Sequence, residues 1–130
     1  MFFILHIAFM VAAFLCISVG VFTAAFRRKS PSWLKRHKTF GAAGLASGLA
    51  GFVAIVLEIS LSNGEHFNSL HTWVGTAVVA LLLSTPLVGQ LMLNTGAQGP
   101  QFRPWHIWSG RTVLALMAVN IALGIAMILS

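Results

Sequence analysis

The sequence predicts an all-α integral membrane protein, a four-helix bundle with up-down-up-down connections. Of its 130 residues, 58% are hydrophobic and only 8% are charged, whereas soluble domains contain about 25% charged residues. Four apolar runs are long enough to cross a hydrocarbon layer of about 30 Å, which takes about 20 helical residues. The predicted helices cover roughly residues 2–26, 32–61, 69–93 and 104–129.

Short connections make consecutive helices antiparallel neighbours, so the whole chain, 1–130, is predicted to form a single transmembrane domain. Ser30 is expected to cap the second helix ahead of Pro31, and Pro104 is expected at the start of the fourth helix. The first run has no basic segment before it and exceeds the length of a signal-peptide core, so we expect it to be retained.

The charged residues predict the orientation of the helices. Eight basic residues lie in or beside the first and third connections; they are Arg27, Arg28, Lys29, Lys35, Arg36, Lys38, Arg103 and Arg111. The positive-inside rule therefore makes these connections cytoplasmic and places both termini on the other side. We expect the membrane to be the bacterial inner (cytoplasmic) membrane. Nucleic acid is not expected as a partner, because no part of the chain remains outside the bilayer to bind it.

One histidine lies near the start of each predicted helix: His6, His37, His71 and His106. Because the helices alternate in direction, His6 and His71 lie toward the non-cytoplasmic face. His37 and His106 lie toward the cytoplasmic face. Ionisable residues in membrane helices usually face a partner in the protein interior, and two neutral imidazoles at one depth suit the axial positions of a haem iron. The sequence therefore predicts two haems, with the irons roughly 20–25 Å apart along the membrane normal.

A glycine follows three of these histidines by one helical turn: Gly41 after His37, Gly75 after His71 and Gly110 after His106. Positions i and i+4 share a helix face, so each glycine leaves room for a flat porphyrin. Further along the second helix, tight helix packing is the favoured role of Gly44 and Gly48. On the same face, Glu58 is either a proton acceptor or an interfacial acid facing water.

Three basic residues near the cytoplasmic histidines are candidates to bind haem propionates or an anionic reductant; they are Lys38, Arg103 and Arg111. Guanidinium groups suit this role because they bind carboxylates through two parallel hydrogen bonds. Their alternative role is to anchor the cytoplasmic face of the protein.

Several segments resemble one known family: "LHIAFM", "LKRHKTFGAAGL", "SLHTWVG", "STPLVG", "WHIWSGR" and "AVNIALGI". Together they look like the four-helix core of the cytochrome b561 family. In that family the first and third core histidines ligate one b haem, and the second and fourth ligate the other. The resemblance implies the pairs His6/His71 and His37/His106, and it implies electron transfer across the membrane, often from cytoplasmic ascorbate to monodehydroascorbate or ferric iron.

The sequence departs from the family in two ways. The predicted helices do not include the flanking helices of eukaryotic-type members, and "VFTAAFRRK" is only loosely similar to the family's basic ascorbate-side segment. The electron-transfer role is therefore better supported than any particular donor or acceptor.

The predicted function is a di-haem b-type transmembrane electron carrier, and any enzymatic activity would be that of an ascorbate- or quinol-linked oxidoreductase. The alternative is an accessory or structural subunit of a larger membrane redox or photosynthetic complex that retains some or all of the haem. A chlorophyll-type pigment binder is a third reading. The expected partners are the lipid bilayer, an unknown electron donor and acceptor, and either a second copy of the chain or the subunits of a larger complex.

Overall fold

The computed structural model describes all residues, Met1–Ser130, and contains four long α-helices and no strand. The helices are α1 (Phe2–Phe26), α2 (Trp33–Leu61), α3 (Leu70–Asn94) and α4 (Gly99–Leu129), with a 3-10 turn at Gly96–Gln98. All four are long and apolar enough to cross a membrane. The prediction of an all-α integral membrane protein with four transmembrane helices is confirmed, and the bilayer is its immediate environment.

The chain divides into two compact units, Met1–Trp73 and Val74–Ser130. The first contains α1, α2 and the first turn of α3. The second contains the rest of α3 together with α4.

Glycines set the close packing of α1 against α2 in the first unit. A Cβ on Gly44 would lie 2.6 Å from Cδ1 of Ile17, and one on Gly51 would lie 3.1 Å from Cβ of Phe9. At the other end of the pair, a Cβ on Gly20 would lie 3.7 Å from the carbonyl oxygen of His37. These contacts run in opposite directions along the two helices, so α1 and α2 form an antiparallel hairpin. The packing role favoured for Gly44 agrees with its position.

Two local motifs complete the end of this hairpin that lies away from the basic residues. The backbone N–H of Phe3 donates a 3.0 Å hydrogen bond to Oε2 of Glu58, and the amino terminus lies 3.6 Å from the same oxygen. Glu58 therefore accepts one of the N–H groups at the start of α1 from a partly exposed position, which agrees with its interpretation as an interfacial acid, although the hydrogen bond itself was not predicted. Helix α2 ends in a Schellman motif, with Asn63 left-handed (φ 53°) and the N–H of Gly64 bonded to the carbonyl of Ile59.

In the second unit, α3 and α4 are also antiparallel. Gly75, near the start of α3, faces Asn120 near the end of α4, and Thr85 in the middle of α3 faces Gly110. A Cβ on Gly75 would lie 3.0 Å from Nδ2 of Asn120. Pro86 lies within α3.

Helix α4 starts five residues earlier than predicted, at Gly99 instead of residue 104. Pro100 takes the first-turn position that the sequence assigned to Pro104, and Pro104 lies inside the helix. The preceding turn requires Gly96 in the left-handed region, at φ 53°. A Cβ on the buried Gly99 would collide with the carbonyl oxygen of Met92. Two glycines and a proline therefore start the helix before the apolar run begins.

The start of α2 also differs from its prediction. The helix begins at Trp33 with Ser32 as its N-cap residue, and no side-chain hydrogen bond caps it. Ser30 instead accepts the backbone N–H of Trp33 at its carbonyl, 3.1 Å away, within a turn that precedes the helix.

Candidate metal centre

His6 and His71 lie together in the first unit. Their ring centroids are 6.3 Å apart and their ring planes are nearly perpendicular, at 88°. A metal ion binds an imidazole nitrogen at about 2.0–2.1 Å, so two imidazoles on opposite sides of one ion have centroids roughly 6 Å apart. The spacing of these two rings matches that requirement.

The orientation of the His6 ring is set by the neighbouring helix. Its Nδ1 lies 2.9 Å from the carbonyl oxygen of Gly51 in α2. A carbonyl can only accept, so Nδ1 carries the proton and the lone pair of the neutral ring is on Nε2. Ligating histidines commonly donate their second ring N–H to a carbonyl in this way.

His37 repeats the arrangement from the opposite helix and at the opposite end of the hairpin. Its Nδ1 donates to the carbonyl of Gly20 in α1, at 2.9 Å. The ring of Trp33 lies beside it, with centroids 6.5 Å apart. Because Gly51 faces His6 and follows His37 by fourteen residues, the levels of the two histidines are about 21 Å apart at 1.5 Å per residue.

His106 follows the same rule in the second unit. Its Nδ1 donates to the carbonyl of Thr85 in α3, at 3.0 Å. The ring lies against Gly89, where a Cβ would be 2.8 Å from Cε1 of the imidazole. The side-chain oxygen of Thr85 is buried and has no hydrogen-bond partner. His106 is therefore oriented by the backbone, next to an unsatisfied polar atom.

His66 differs from the other four histidines. It lies in the connection between α2 and α3, and its Nε2 is 3.3 Å from the hydroxyl of Ser60. It makes a local polar contact at the end of α2 and takes no part in the arrangement above.

The three glycines predicted to make room for a porphyrin have different surroundings. A Cβ on Gly41 would meet no atom within 4 Å, and one on Gly110 would meet only Cγ2 of Thr85, at 4.0 Å. The space beside Gly75 instead contains the amide of Asn120. Space for a flat group is therefore clear at Gly41 and Gly110, whereas Gly75 has a packing contact of its own.

The three predicted propionate-binding residues are exposed, and their charges face outward. Lys38 and Arg103 lie on the surface, and the guanidinium of Arg111 is 5.3 Å from the centre of the Trp108 ring. Within their units the side chains are accessible to an anion, and Arg111 has a cation–π contact in addition.

The residues that orient the histidines were not predicted from the sequence; they are Gly20, Gly51 and Thr85. A signal for them exists, because Gly20 follows His6 by fourteen residues, Gly51 follows His37 by fourteen, and Thr85 follows His71 by fourteen. Fourteen residues are close to four helical turns and return to nearly the same helix face.

The donor set fits haem better than a metal ion bound by protein alone. Neither unit contains a group of three or more His, Cys, Asp or Glu side chains that could surround a metal ion, and protein-only sites need at least three such ligands. Haem iron needs only axial ligands from the protein. Two imidazoles whose centroids lie 6.3 Å apart, His6 and His71, therefore suit haem iron.

The comparison with known families agrees with this chemistry. The family model described as Eukaryotic cytochrome b561 matches residues 5–129, nearly the whole chain. No curated protein and no solved structure matches the chain. The chain belongs to the cytochrome b561 family, whose members bind haem b and transfer electrons across membranes.

Proposed function

We propose that this protein is a di-haem b-type carrier that passes electrons between the two faces of the membrane. His6 and His71 would hold one haem, and His37 and His106 would hold the other. The haems supply the one-electron redox chemistry, and the chain supplies their ligation, orientation and electrostatic surroundings.

The spacing of His6 and His71 carries the proposal. These residues are 65 positions apart in the sequence, yet their rings face one another with centroids 6.3 Å apart. A histidine in a membrane helix is costly unless it has a partner. Two imidazoles that face one another across this distance, with Nδ1 of His6 bonded to a carbonyl, are best explained by an ion between them.

The second pair is proposed from the orientation of each ring within its own unit. His37 donates to Gly20 and His106 donates to Thr85, so the two neutral rings carry their lone pairs on Nε2. The hydrogen bond fixes the ring and raises the basicity of the ligating nitrogen. Gly41 and Gly110, one turn after these histidines, leave room for the macrocycle.

Lys38, Arg103 and Arg111 are proposed to bind the propionates of the second haem or an anionic reductant. Their charges lie in or beside the basic connections, and a guanidinium–carboxylate pair is directional. The positive-inside rule makes this side cytoplasmic and both termini non-cytoplasmic, and the bacterial inner membrane is the proposed location. A reporter fused to the carboxyl terminus of the full chain, active only outside the cytoplasm, is expected to be active.

Haem stoichiometry, measured with the reduced-minus-oxidised spectrum, tests the proposed function. Protein purified in mild detergent should contain two haems per chain, with a b-type band and no covalently attached haem. One haem per chain would contradict the di-haem arrangement. An absence of haem with a large co-purifying complex would favour the accessory-subunit alternative, and extractable chlorophyll would favour the pigment binder.

A further inference from the structure

A groove of about 480 Å³ opens on the first unit, at the end where α1 leads into α2. Its lining divides into two parts. One part is apolar, with Val19, Phe22 and Phe40, and the other part is polar, with Arg27, Ser30 and Arg36. The volume lies within the range of about 300–1,000 Å³ found for ligand sites.

The two arginines of the groove have no acidic side chain with which to pair. The chain contains only two acids, Glu58 and Glu65. Glu58 is bonded at the start of α1, and Glu65 follows the end of α2, so both lie at the opposite end of the hairpin. No acidic side chain therefore lies near Arg27 and Arg36, and both exposed side chains are accessible to an anion from outside the chain.

Neighbouring basic residues do not compete for this position. Arg28 donates from Nε to the carbonyl of Ala24, and its guanidinium lies 5.6 Å from the centre of the Trp33 ring. Lys29 and Lys35 are exposed and do not line the groove. The start of α2 lies in this groove, and the partial positive charge of a helix N-terminus also favours an anion.

The apolar part of the groove lies along the membrane-spanning helices and the polar part lies near their connection, as the acyl chains and headgroup of a phospholipid do. Val19, Phe22 and Phe40 lie within membrane-spanning helices, whereas Arg27 and Ser30 lie in the connection between them. A lipid beside these helices has its phosphate at the level of the connection and its acyl chains at the level of the apolar residues. Basic pockets between membrane helices recognise anionic headgroups in this way.

We propose that this groove binds one anionic phospholipid, with its phosphate against Arg27 and Arg36 and the upper part of an acyl chain between Val19, Phe22 and Phe40. A free anion could satisfy only the polar half of this lining. The lipid satisfies both halves, and it is present at high concentration beside the groove.

Native mass spectrometry of the delipidated holoprotein tests the proposal, with phosphatidylglycerol and phosphatidylcholine of identical chains as probes. The wild-type protein is expected to bind one phosphatidylglycerol in preference to phosphatidylcholine. The double variant R27Q/R36Q should weaken phosphatidylglycerol binding about twenty-fivefold, because each basic residue near an anionic headgroup contributes about fivefold. The double variant K29Q/K35Q loses the same charge outside the groove and should change this affinity much less.

The variant Val19→Trp tests the apolar half, because it fills the groove while retaining both arginines. It should weaken phosphatidylglycerol binding and leave the binding of inorganic phosphate unchanged. Equal losses in R27Q/R36Q and K29Q/K35Q would overturn the proposal. So would phosphate that displaces the lipid at equal concentration, which would identify a small-anion site. Thermal unfolding in detergent serves as a folding control for all variants, so these lipid affinities remain interpretable if the proposed electron-carrier function fails.

Discussion

The two units orient a histidine ring through the same kind of hydrogen bond but with different surrounding residues. In each, a histidine of the second helix donates its Nδ1–H to a carbonyl of the first helix, His37 to Gly20 and His106 to Thr85. In the first unit the acceptor itself is a glycine. In the second unit Thr85 accepts the hydrogen bond, and Gly89, one turn later, leaves room for the ring. In both units the acceptor is a main-chain carbonyl of the first helix. The glycine lies at the acceptor position in the first unit and one turn after it in the second.

Removal of one histidine from each proposed pair gives the largest expected effect. His71→Ala and His106→Ala should each lower the haem content from two per chain to about one, because an iron that loses an axial ligand is held weakly. The pyridine haemochrome assay measures the content, and His66→Ala is the matched control. Loss of both haems in either variant, with the protein still folded, would contradict the independent pairs.

Alanine substitutions at the two glycines that face histidines should have different effects in the two units. In Gly89→Ala the new methyl group displaces the His106 ring, and changes in the surroundings of a ligand typically weaken metal binding about 10–100-fold. In Gly20→Ala the nearest atoms would be 3.6–3.8 Å away. That variant should retain haem and gain up to about 1 kcal/mol of helix stability. Haem titration of the apoprotein measures the haem affinity of both variants, and equal affinities would contradict the expected difference between the two units.

Helix packing within the first unit is tested at Gly44. A leucine there must displace Ile17, whose Cδ1 lies 2.6 Å from the position of a Cβ, and overpacking costs about 1–3 kcal/mol. Ala43 is exposed on the same helix, so Ala43→Leu is the control and should have little effect. Thermal unfolding in detergent gives the comparison. A stable Gly44→Leu protein would show that the hairpin tolerates separation of its helices.

Substitutions at the hydrogen bonds that begin α1 and α3 should have the smallest effects on stability. Ser69 accepts the backbone N–H of Thr72 at 3.3 Å, so Ser69→Ala removes a local cap and should cost about 1 kcal/mol. Glu58→Gln keeps an acceptor for the N–H of Phe3 and loses only an exposed ion pair, with an expected cost below about 0.5 kcal/mol. Thermal unfolding at low salt measures both, and a larger effect at Glu58 would reverse the order.

Much of this fold could be predicted because hydropathy and charge act over whole helices. The predicted start of α1 and ends of α1, α2 and α4 coincide with the structure. The start of α4 could not be predicted from the apolar run, because Gly99 and Pro100 begin the helix through backbone geometry.

The same contrast applies to the candidate site, where some residues could be predicted from the sequence and others could not. The histidines were identifiable because an imidazole in an apolar helix is unusual. The acceptors at Gly20, Gly51 and Thr85 were not, because a main-chain carbonyl is present at every residue and only the register of two helices selects one. Glu58 is partly exposed, which agrees with its interpretation as an interfacial acid, but its hydrogen bond to Phe3 could not be predicted because the two residues lie 55 positions apart.

The backbone acceptors also bear on mutational robustness. A histidine oriented by a carboxylate side chain can lose that partner through one nucleotide change, whereas no substitution deletes the carbonyl of Gly20, Gly51 or Thr85. The second ring nitrogen is thereby protected from most point mutations. For the proposed haem ligands, a change of basicity through this hydrogen bond would require a shift of one helix along another, which alters many contacts at once.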